Sequence, residues 1–192
     1  MIKTIALDIG NVCVNIKMKN CLRLLGLNQN TDLPPDLLNA TDSMERGILS
    51  EDDWLKSFIK ASNGKFEAAT LKKAYNAIIG SEICETCEFV KNATKNGYKI
   101  VFFSDTSQIH LNHVFANLSF ANLISGGIYS FEVGVKKPES LMFEEFESHY
   151  GTPSLYLDDK KENIKAGLSA GWPSLLFQAK KMSSQTLLAA IE

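Results

Sequence analysis

Apolar and polar positions change their spacing along this chain, and the changes mark its parts. Residues 2–9 make a short apolar run of strand length, broken by Gly10-Asn11. From about residue 17 to residue 79 the apolar positions recur at helical spacing. Leu22, Leu24, Leu25 and Leu27 predict one helix. Pro34-Pro35 opens another, since a first helical turn has no use for the N–H that proline lacks. Ser50 is placed to cap a third, with acidic Glu51, Asp52 and Asp53 in its first turn. Trp54, Leu55, Phe58 and Ile59 recur along it, and residues 66–79 predict a fourth.

After Gly80 the pattern alternates between helix and strand. Helical spacing covers residues 83–95 and ends near Gly97, a C-cap residue. Residues 99–103 are continuously apolar and strand-like, and 109–118 are helical. A weaker strand is predicted at 127–131 and a helix at 139–150, opened by Pro138. A strand at 154–157, a helix at 162–170, a strand at 173–177 and a helix at 184–191 complete the chain. Alternating elements predict an α/β fold: a Rossmann-like, doubly wound parallel sheet with right-handed crossovers. The helical block after the first strand reads as a small cap. The expected division is residues 1–15 and 80–192 for the core and 16–79 for the cap.

A chain of 192 residues suits one such domain with an insertion. Its 45% hydrophobic and 22% charged residues exclude disorder as the main state. Twenty Lys+Arg against twenty-two Asp+Glu argue against a nucleic-acid partner, because neutralising phosphates needs excess positive charge. No apolar run approaches the ~20 residues that span a bilayer. The first residues read as a strand without a signal-peptide pattern, so a cytoplasmic protein with no membrane partner is expected. Cys84 and Cys87 form a lone Cys-x-x-Cys with no second ligand pair, and both are expected to face inward from a helix. Monomer and homodimer are both compatible with the sequence.

Ligands of open parallel sheets bind at the carboxyl ends of the strands, near the switch point. Asp8 ends the first strand, Ser104-Asp105-Thr106 follow the second, and Asp158-Asp159 follow residues 154–157. Lys137 lies in the loop before the next helix. One hydroxyl, one ammonium and three or four carboxylates thus fall on one predicted edge. Carboxylates so close raise one another's pKa and call for a cation. Mg²⁺ takes oxygen ligands and keeps waters that a phosphate can replace. Lys137 and the backbone N–H groups after Ser104 would face the phosphate oxygens. Each residue also has a structural reading. Asp8 would solvate a turn, Asp159 and Glu162 would form a capping box, Ser104 and Asp105 would cap a helix, and Lys137 would be a loop charge. Those readings leave Asp158 without a role and the shared edge unexplained.

Four segments resemble the motifs of the haloacid dehalogenase-like superfamily, in order and spacing. They are Leu7-Asp-Ile-Gly-Asn-Val12, Val101-Phe-Phe-Ser-Asp-Thr106, Gly134-Val-Lys-Lys-Pro-Glu139, and Leu155-Tyr-Leu-Asp-Asp-Lys-Lys-Glu-Asn163 with the Ala-Gly-Leu-Ser-Ala-Gly run at 166–171. The first, with Met44-Glu-Arg-Gly-Ile-Leu-Ser50, is similar to a subgroup of small sugar-phosphate phosphatases. The resemblance implies a hydrolase that binds Mg²⁺ and releases phosphate from a small phosphorylated metabolite, a sugar phosphate by that subgroup. It makes Asp8 the nucleophile that forms a phosphoaspartyl intermediate. Ser104 would bind a phosphoryl oxygen, and Lys137 would hold Asp8 and the phosphate together. Asp8, Asp159, the Gly10 carbonyl and Asp158, directly or through water, would hold the metal.

Two positions depart from the family pattern. Most of its phosphatases carry a second aspartate, the general acid–base group, where this chain has Gly10. Its loss typically costs ~10²–10⁴-fold and falls hardest on poor leaving groups. Asp105 stands where relatives often have Asn; it reads as a helix cap or as a displaced acid–base group. Arg46, beside Gly47, is a candidate contact for phosphate or sugar and equally reads as a solvated helix-end charge. His110 and His149 read as ordinary helix positions, and Trp54 as cap core. The competing functions are a catalytically weak module that binds a phospho-ligand or a protein partner, favoured by Gly10 and Asp105, and a haloacid dehalogenase. The dehalogenase reading ranks below because its chemistry needs no metal, which leaves Asp158-Asp159 unused.

Overall fold

A computed structural model describes residues 3–28, 33 and 35–191. Ile2 and Pro34, placed by sequence in the first strand and at a helix start, lie outside the described residues. Five strands form a parallel sheet: β1 (Thr4–Leu7), β4 (Lys99–Ser104), β5 (Ile124–Tyr129), β6 (Leu155–Asp158) and β7 (Ser174–Leu176). Their order is β5-β4-β1-β6-β7, which puts β1 at the centre, between β4 and β6. The chain adds strands on one side of β1, then crosses to the other, so the switch point lies at the carboxyl end of β1.

The central strand is buried on both faces, as its unbroken apolar run predicts. Successive side chains point to opposite faces. Ile5 and Leu7 join a core with Phe89 and Val90 of α5 (Cys84–Lys95) and Leu187 of α10 (Ser184–Ala189). Ala6 joins the opposite core with Phe103, Tyr156 and Trp172 and with Met142, Phe143 and Phe146 of α8 (Ser140–Tyr150). The remaining core helices are α6 (Gln108–Asn117), the short α7 (Ser130–Val133) and α9 (Lys161–Ser169).

The helical block contains α1 (Met18–Leu24), α2 (Pro35–Glu45), α3 (Glu51–Ala61) and α4 (Ala68–Asn76). It closes around its own cluster, with Leu25, Leu37, Met44, Trp54, Phe58 and Leu71 buried, and Ile109 of α6 joins it. Ser50 caps α3 by accepting the Asp53 N–H at 3.1 Å, as its position predicts. One feature had no signal in the pattern. β2 (Val14–Ile16) and β3 (Ile79–Glu82) pair antiparallel, so the block leaves and rejoins the core through one ribbon. β2 has only three residues and β3 reads Ile-Gly-Ser-Glu, so neither carries an apolar run that marks a strand.

Other departures are local. β5 starts earlier than expected and residues 130–133 are helical. Gly126 and Gly127 hid the strand. A Cβ at either would collide with Tyr150 or Tyr129, so glycine there admits the two rings. Pro138 lies two residues before the start of α8, with Glu139 at the N-cap position. Cys87 is buried beside Ser119, but Cys84 is exposed, against the expectation that both face inward. Among the described residues no helix is long and apolar enough to cross a membrane.

Candidate active site

The carboxyl ends of β1, β4 and β6 gather the residues singled out by sequence. Register sets this: Leu7 lies opposite both Phe102 of β4 and Leu157 of β6, so the next residues of all three strands share one edge. Asp8 follows β1 and ties its own N–H to the Leu157 carbonyl at 2.9 Å. The loop before α8 brings in Lys137, whose side chain is 1% exposed. Its ammonium donates to Asp8 Oδ1 at 2.8 Å, Asp158 Oδ2 at 2.7 Å and the Phe103 carbonyl at 2.7 Å. All three of its protons are therefore used.

Asp158, fully buried, is satisfied from every side. Tyr156 donates its hydroxyl to Oδ2 at 2.6 Å, the Lys160 N–H donates to Oδ1 at 2.8 Å, and Asn163 Nδ2 reaches both oxygens at 3.0 and 3.1 Å. Burial pushes its pKa up, but Lys137 and these donors outweigh it and hold Asp158 below the usual carboxylate range. Asp8 is in the opposite position. Burial dominates, Lys137 only partly offsets it, and Asp158 and Asp159 add repulsion, so its pKa is pushed up to about 6. Burial also works against the Lys137 charge, yet Asp8, Tyr156 and Asp158 hold its pKa well above the ordinary value. Lys137 and Asp158 thus form a charged anchor, and Asp8 carries the charge that the site compensates least.

Oxygens of Asp8, Asp158 and Asp159 lie within 4.8 Å of one another. Asp159 Oδ2 accepts Asn11 Nδ2 at 2.9 Å. Asn11 sits in the left-handed region, at φ 53°, in the tight turn after Gly10, and its Oδ1 accepts the Ile16 N–H at 3.1 Å. Asn163 Oδ1 is buried and has no hydrogen-bond partner among the described residues. Four carboxylates, Asp8, Glu45, Asp105 and Asp159, line the adjoining cavity against two lysines, Lys137 and Lys160. A hard oxygen donor set with surplus negative charge and an orphaned buried oxygen fits a small divalent cation.

Several expected roles are placed differently. Asp105 does not cap α6; Ser107 does, accepting the His110 N–H at 3.3 Å. Asp105 lines the cavity and accepts the backbone N–H of Lys137 at 2.9 Å, fixing the loop that delivers the ammonium. No capping box joins Asp159 and Glu162, since α9 begins at Lys161 with Lys160 as N-cap. Ser104 ends β4 buried and does not line the cavity, and the Thr106 N–H is taken by Ser130 Oγ at 2.9 Å. Arg46 lies outside the cavity lining and pairs with Asp42 at 3.0 Å and Glu139 at 2.8 Å. Beside it, Lys136 pairs with Asp42 and Glu45, so these pairs link α2 to the 136–139 loop.

Five residues at the site were given no functional role in sequence: Asn11, Tyr156, Lys160, Asn163 and His110. Tyr156 lies two residues before Asp158 on the same strand face, a spacing that does carry a signal. His110 is buried, stacks on Tyr75 at 3.7 Å between ring centroids, and its Nε2 meets the Tyr75 carbonyl at 2.9 Å. Burial lowers its pKa further than that carbonyl raises it, which favours the neutral ring.

The cavity holds about 340 Å³. One end is the Asp8, Lys137 and Asp159 edge, and the other is walled by the helical block.

No family model matches the sequence, and no curated protein matches it significantly. Solved structures match it in fold. A HAD family enzyme from Bacteroides thetaiotaomicron superposes with a TM-score of 0.86 at 17% identity, covering 97% of this chain and 98% of that one. A structure of that enzyme in complex with magnesium and inorganic phosphate gives a TM-score of 0.82 at 16% identity, covering 95% of this chain and 97% of that one. A HAD-like family hydrolase from Porphyromonas gingivalis gives 0.77 at 17% identity, covering 94% and 93%. The L-2-haloacid dehalogenase of Xanthobacter autotrophicus, with chloropropionic acid covalently bound, gives 0.62 at 12% identity, covering 98% and 81%.

Proposed function

We propose that this chain, which has the haloacid dehalogenase-like fold, is a Mg²⁺-dependent phosphomonoester hydrolase acting through a phosphoaspartyl intermediate at Asp8. The observation that carries the reading is Asp8 itself, held by Lys137 through Oδ1 at the end of a cavity, beside two further carboxylates. The magnesium and phosphate bound to the Bacteroides enzyme support the choice of ion and leaving product. Asp8, Asp159 and the Gly10 carbonyl are the proposed ligands. Asp158, whose oxygens already accept four donor groups, sets the lysine and reaches the metal at most through water. When bound, the ion offsets the negative charge of the carboxylates and of the phosphoryl group.

Asp8 attacks phosphorus with the oxygen that Lys137 leaves free. The ester P–O bond breaks, its electron pair leaves with the alcohol oxygen, and that oxygen takes a proton from solvent. Water then attacks the phosphorus, releasing phosphate and the Asp8 carboxylate. Lys137 stabilises, through its charge, the negative charge that builds on the phosphoryl oxygens, whereas Ser104, buried outside the cavity lining, is given no contact to them. The helical block, residues 16–79, is the proposed cap that excludes water. The sequence resemblance points to sugar phosphates, and the cavity wall bears on that choice. Clustering of Asp159 with Asp8 argues against the metal-free dehalogenase chemistry.

The test is phosphate release from p-nitrophenyl phosphate and a panel of phosphomonoesters, with Mg²⁺ and with EDTA. Release is expected with Mg²⁺, to fall to background in EDTA and to return when Mg²⁺ is added back. Release that survives EDTA would remove the metal from the mechanism, and none from any compound would remove the activity.

Gly10 should leave poor leaving groups at a disadvantage. A Cβ there would lie 3.3 Å from Ile16 Cγ1 and 3.9 Å from Asp8 Oδ2, and the half-exposed Ile16 has room to give. Gly10→Asp is therefore expected to raise turnover of alkyl phosphates by ~10²-fold, the low end of general-acid effects, and that of aryl phosphates by less than about tenfold. Steady-state kinetics on both ester types checks it; an equal change in both would show that Gly10 does not set leaving-group preference.

A further inference from the structure

We infer that the ester group of the substrate is apolar, an aryl or alkyl alcohol rather than a sugar. The inference rests on the proposed phosphatase reading and adds the class of substrate to it. Beyond the charged edge the cavity is walled by apolar side chains from all four cap helices, among them Cys21, Leu38, Trp54, Phe58, Leu71 and Tyr75. The polar groups on that wall already have partners within the protein. Trp54 donates its Nε1 to Thr41 Oγ1 at 3.0 Å, and Thr41 donates to the Leu37 carbonyl at 2.9 Å. Tyr75 donates to Glu45 Oε1 at 3.0 Å, and Glu45 accepts Lys136 at 2.7 Å. A sugar placed here would strip water from several hydroxyls and find few partners for them, a loss of roughly tenfold in affinity for each one left unmatched. An apolar body gives up nothing comparable.

The rim agrees with the wall. Ile16, Met18 and Leu38 are large apolar side chains left 36%, 37% and 49% exposed, and all three line this cavity. Exposed apolar residues gathered around one cavity mark a binding surface, whereas scattered ones mark nothing. The size is also informative. A cavity of about 340 Å³ is roughly twice the ~150 Å³ that takes up benzene, and part of it faces the phosphate end. It therefore suits a body of one or two fused rings, or an alkyl chain of comparable bulk. Aryl alcohols are good leaving groups, which matches the absence of a carboxylate at Gly10.

The test is calorimetric titration of the whole protein, in Mg²⁺, with a series of alkylphosphonates from ethyl to octyl, with naphthylphosphonate, and with glucose 1-phosphate. The phosphonates cannot be hydrolysed at their C–P bond, so binding is read whether or not the protein is a phosphatase. Affinity is expected to rise about three- to fourfold per added CH₂ until the cavity is filled, with naphthylphosphonate at least ~100-fold tighter than glucose 1-phosphate. Leu38→Gln, a change at a half-exposed position that keeps the helix, is expected to cut the octyl-to-ethyl ratio by about tenfold. Affinity that does not depend on chain length, a preference for glucose 1-phosphate, or no binding of any phosphonate would overturn the inference. A steep chain-length series in a protein that releases no phosphate would uphold it and overturn the hydrolase reading instead.

Discussion

Asp8→Asn is expected to abolish phosphate release, by ~10⁴-fold or more, and to leave the protein at least as stable as before. Loss of a nucleophile removes the covalent route altogether, and effects of this order follow from such changes. The stability side comes from the pKa. An acid whose pKa is raised by folding from 3.8 to about 6 is disfavoured in its charged form, so its ionisation costs stability as pH rises through that window. The cost remains at neutral pH, on the order of 1–3 kcal/mol. An Asn oxygen still accepts from Lys137 but carries no charge to desolvate. In EDTA at pH 7.5 the thermal midpoint of the variant is expected to rise by a few degrees, as ~1 kcal/mol moves a protein of this size by about 2–4 °C. Differential scanning calorimetry beside the phosphate assay checks both halves. A large drop in midpoint would show that Asp8 serves the fold, and residual turnover near the wild-type rate would end its assignment as nucleophile.

Lys137→Met is expected to do the reverse to stability. The ammonium is the buried cation between Asp8 and Asp158, and Asp158 is fully buried. Its removal leaves a buried carboxylate without its ion-pair partner, which costs about 3–5 kcal/mol. The thermal midpoint should fall by about 10 °C or more, and phosphate release should be lost with it. The variant Lys137→Met/Asp158→Asn removes both charges of the anchor, and its loss is expected to be smaller than the sum of the single changes, because the two groups share one interaction. Strict additivity in a double-mutant cycle would show that the pair is not coupled and that Asp158 owes its state to Tyr156 and Asn163.

Much of the architecture could be read from one dimension. Helix and strand have different apolar periods, and the long elements carry enough of each to be recognised. That placed β1, β4, β6 and the helices α5, α6, α8, α9 and α10 close to where they fold, and it placed Asp8, Asp158 and Asp159 at strand ends. The alternation of elements then implied a parallel sheet. From that, convergence of Asp8, Lys137 and Asp158 on one edge followed, because parallel strands in register end together. The short β2–β3 ribbon and the start of β5 escaped because three residues, or a strand with two glycines, show no period.

Side-chain roles were less legible. Asp105 and Asp159 each had a local cap to satisfy in sequence, yet Asp105 holds the Lys137 backbone 32 residues away and Asp159 holds Asn11 across the site. Arg46 stood beside a glycine in the expected cap and turned out to be paired with Glu139. A hydrogen-bonding group takes whichever partner geometry offers, and partners far along the chain leave no mark in local pattern.

The order of elements, the sheet type and the carboxylates at its edge belong to local chemistry, since periodicity and strand length act over a few residues and need no partner. The division of labour between Asp8 and Asp158 does not. Both are buried aspartates at strand ends, and they differ because Tyr156, Asn163 and the Lys160 N–H surround one and not the other. The apolar wall of the cavity is the same kind of fact. Its residues are scattered from Cys21 to Tyr75 in four helices, and they become one surface only where the fold turns those helices toward Asp8.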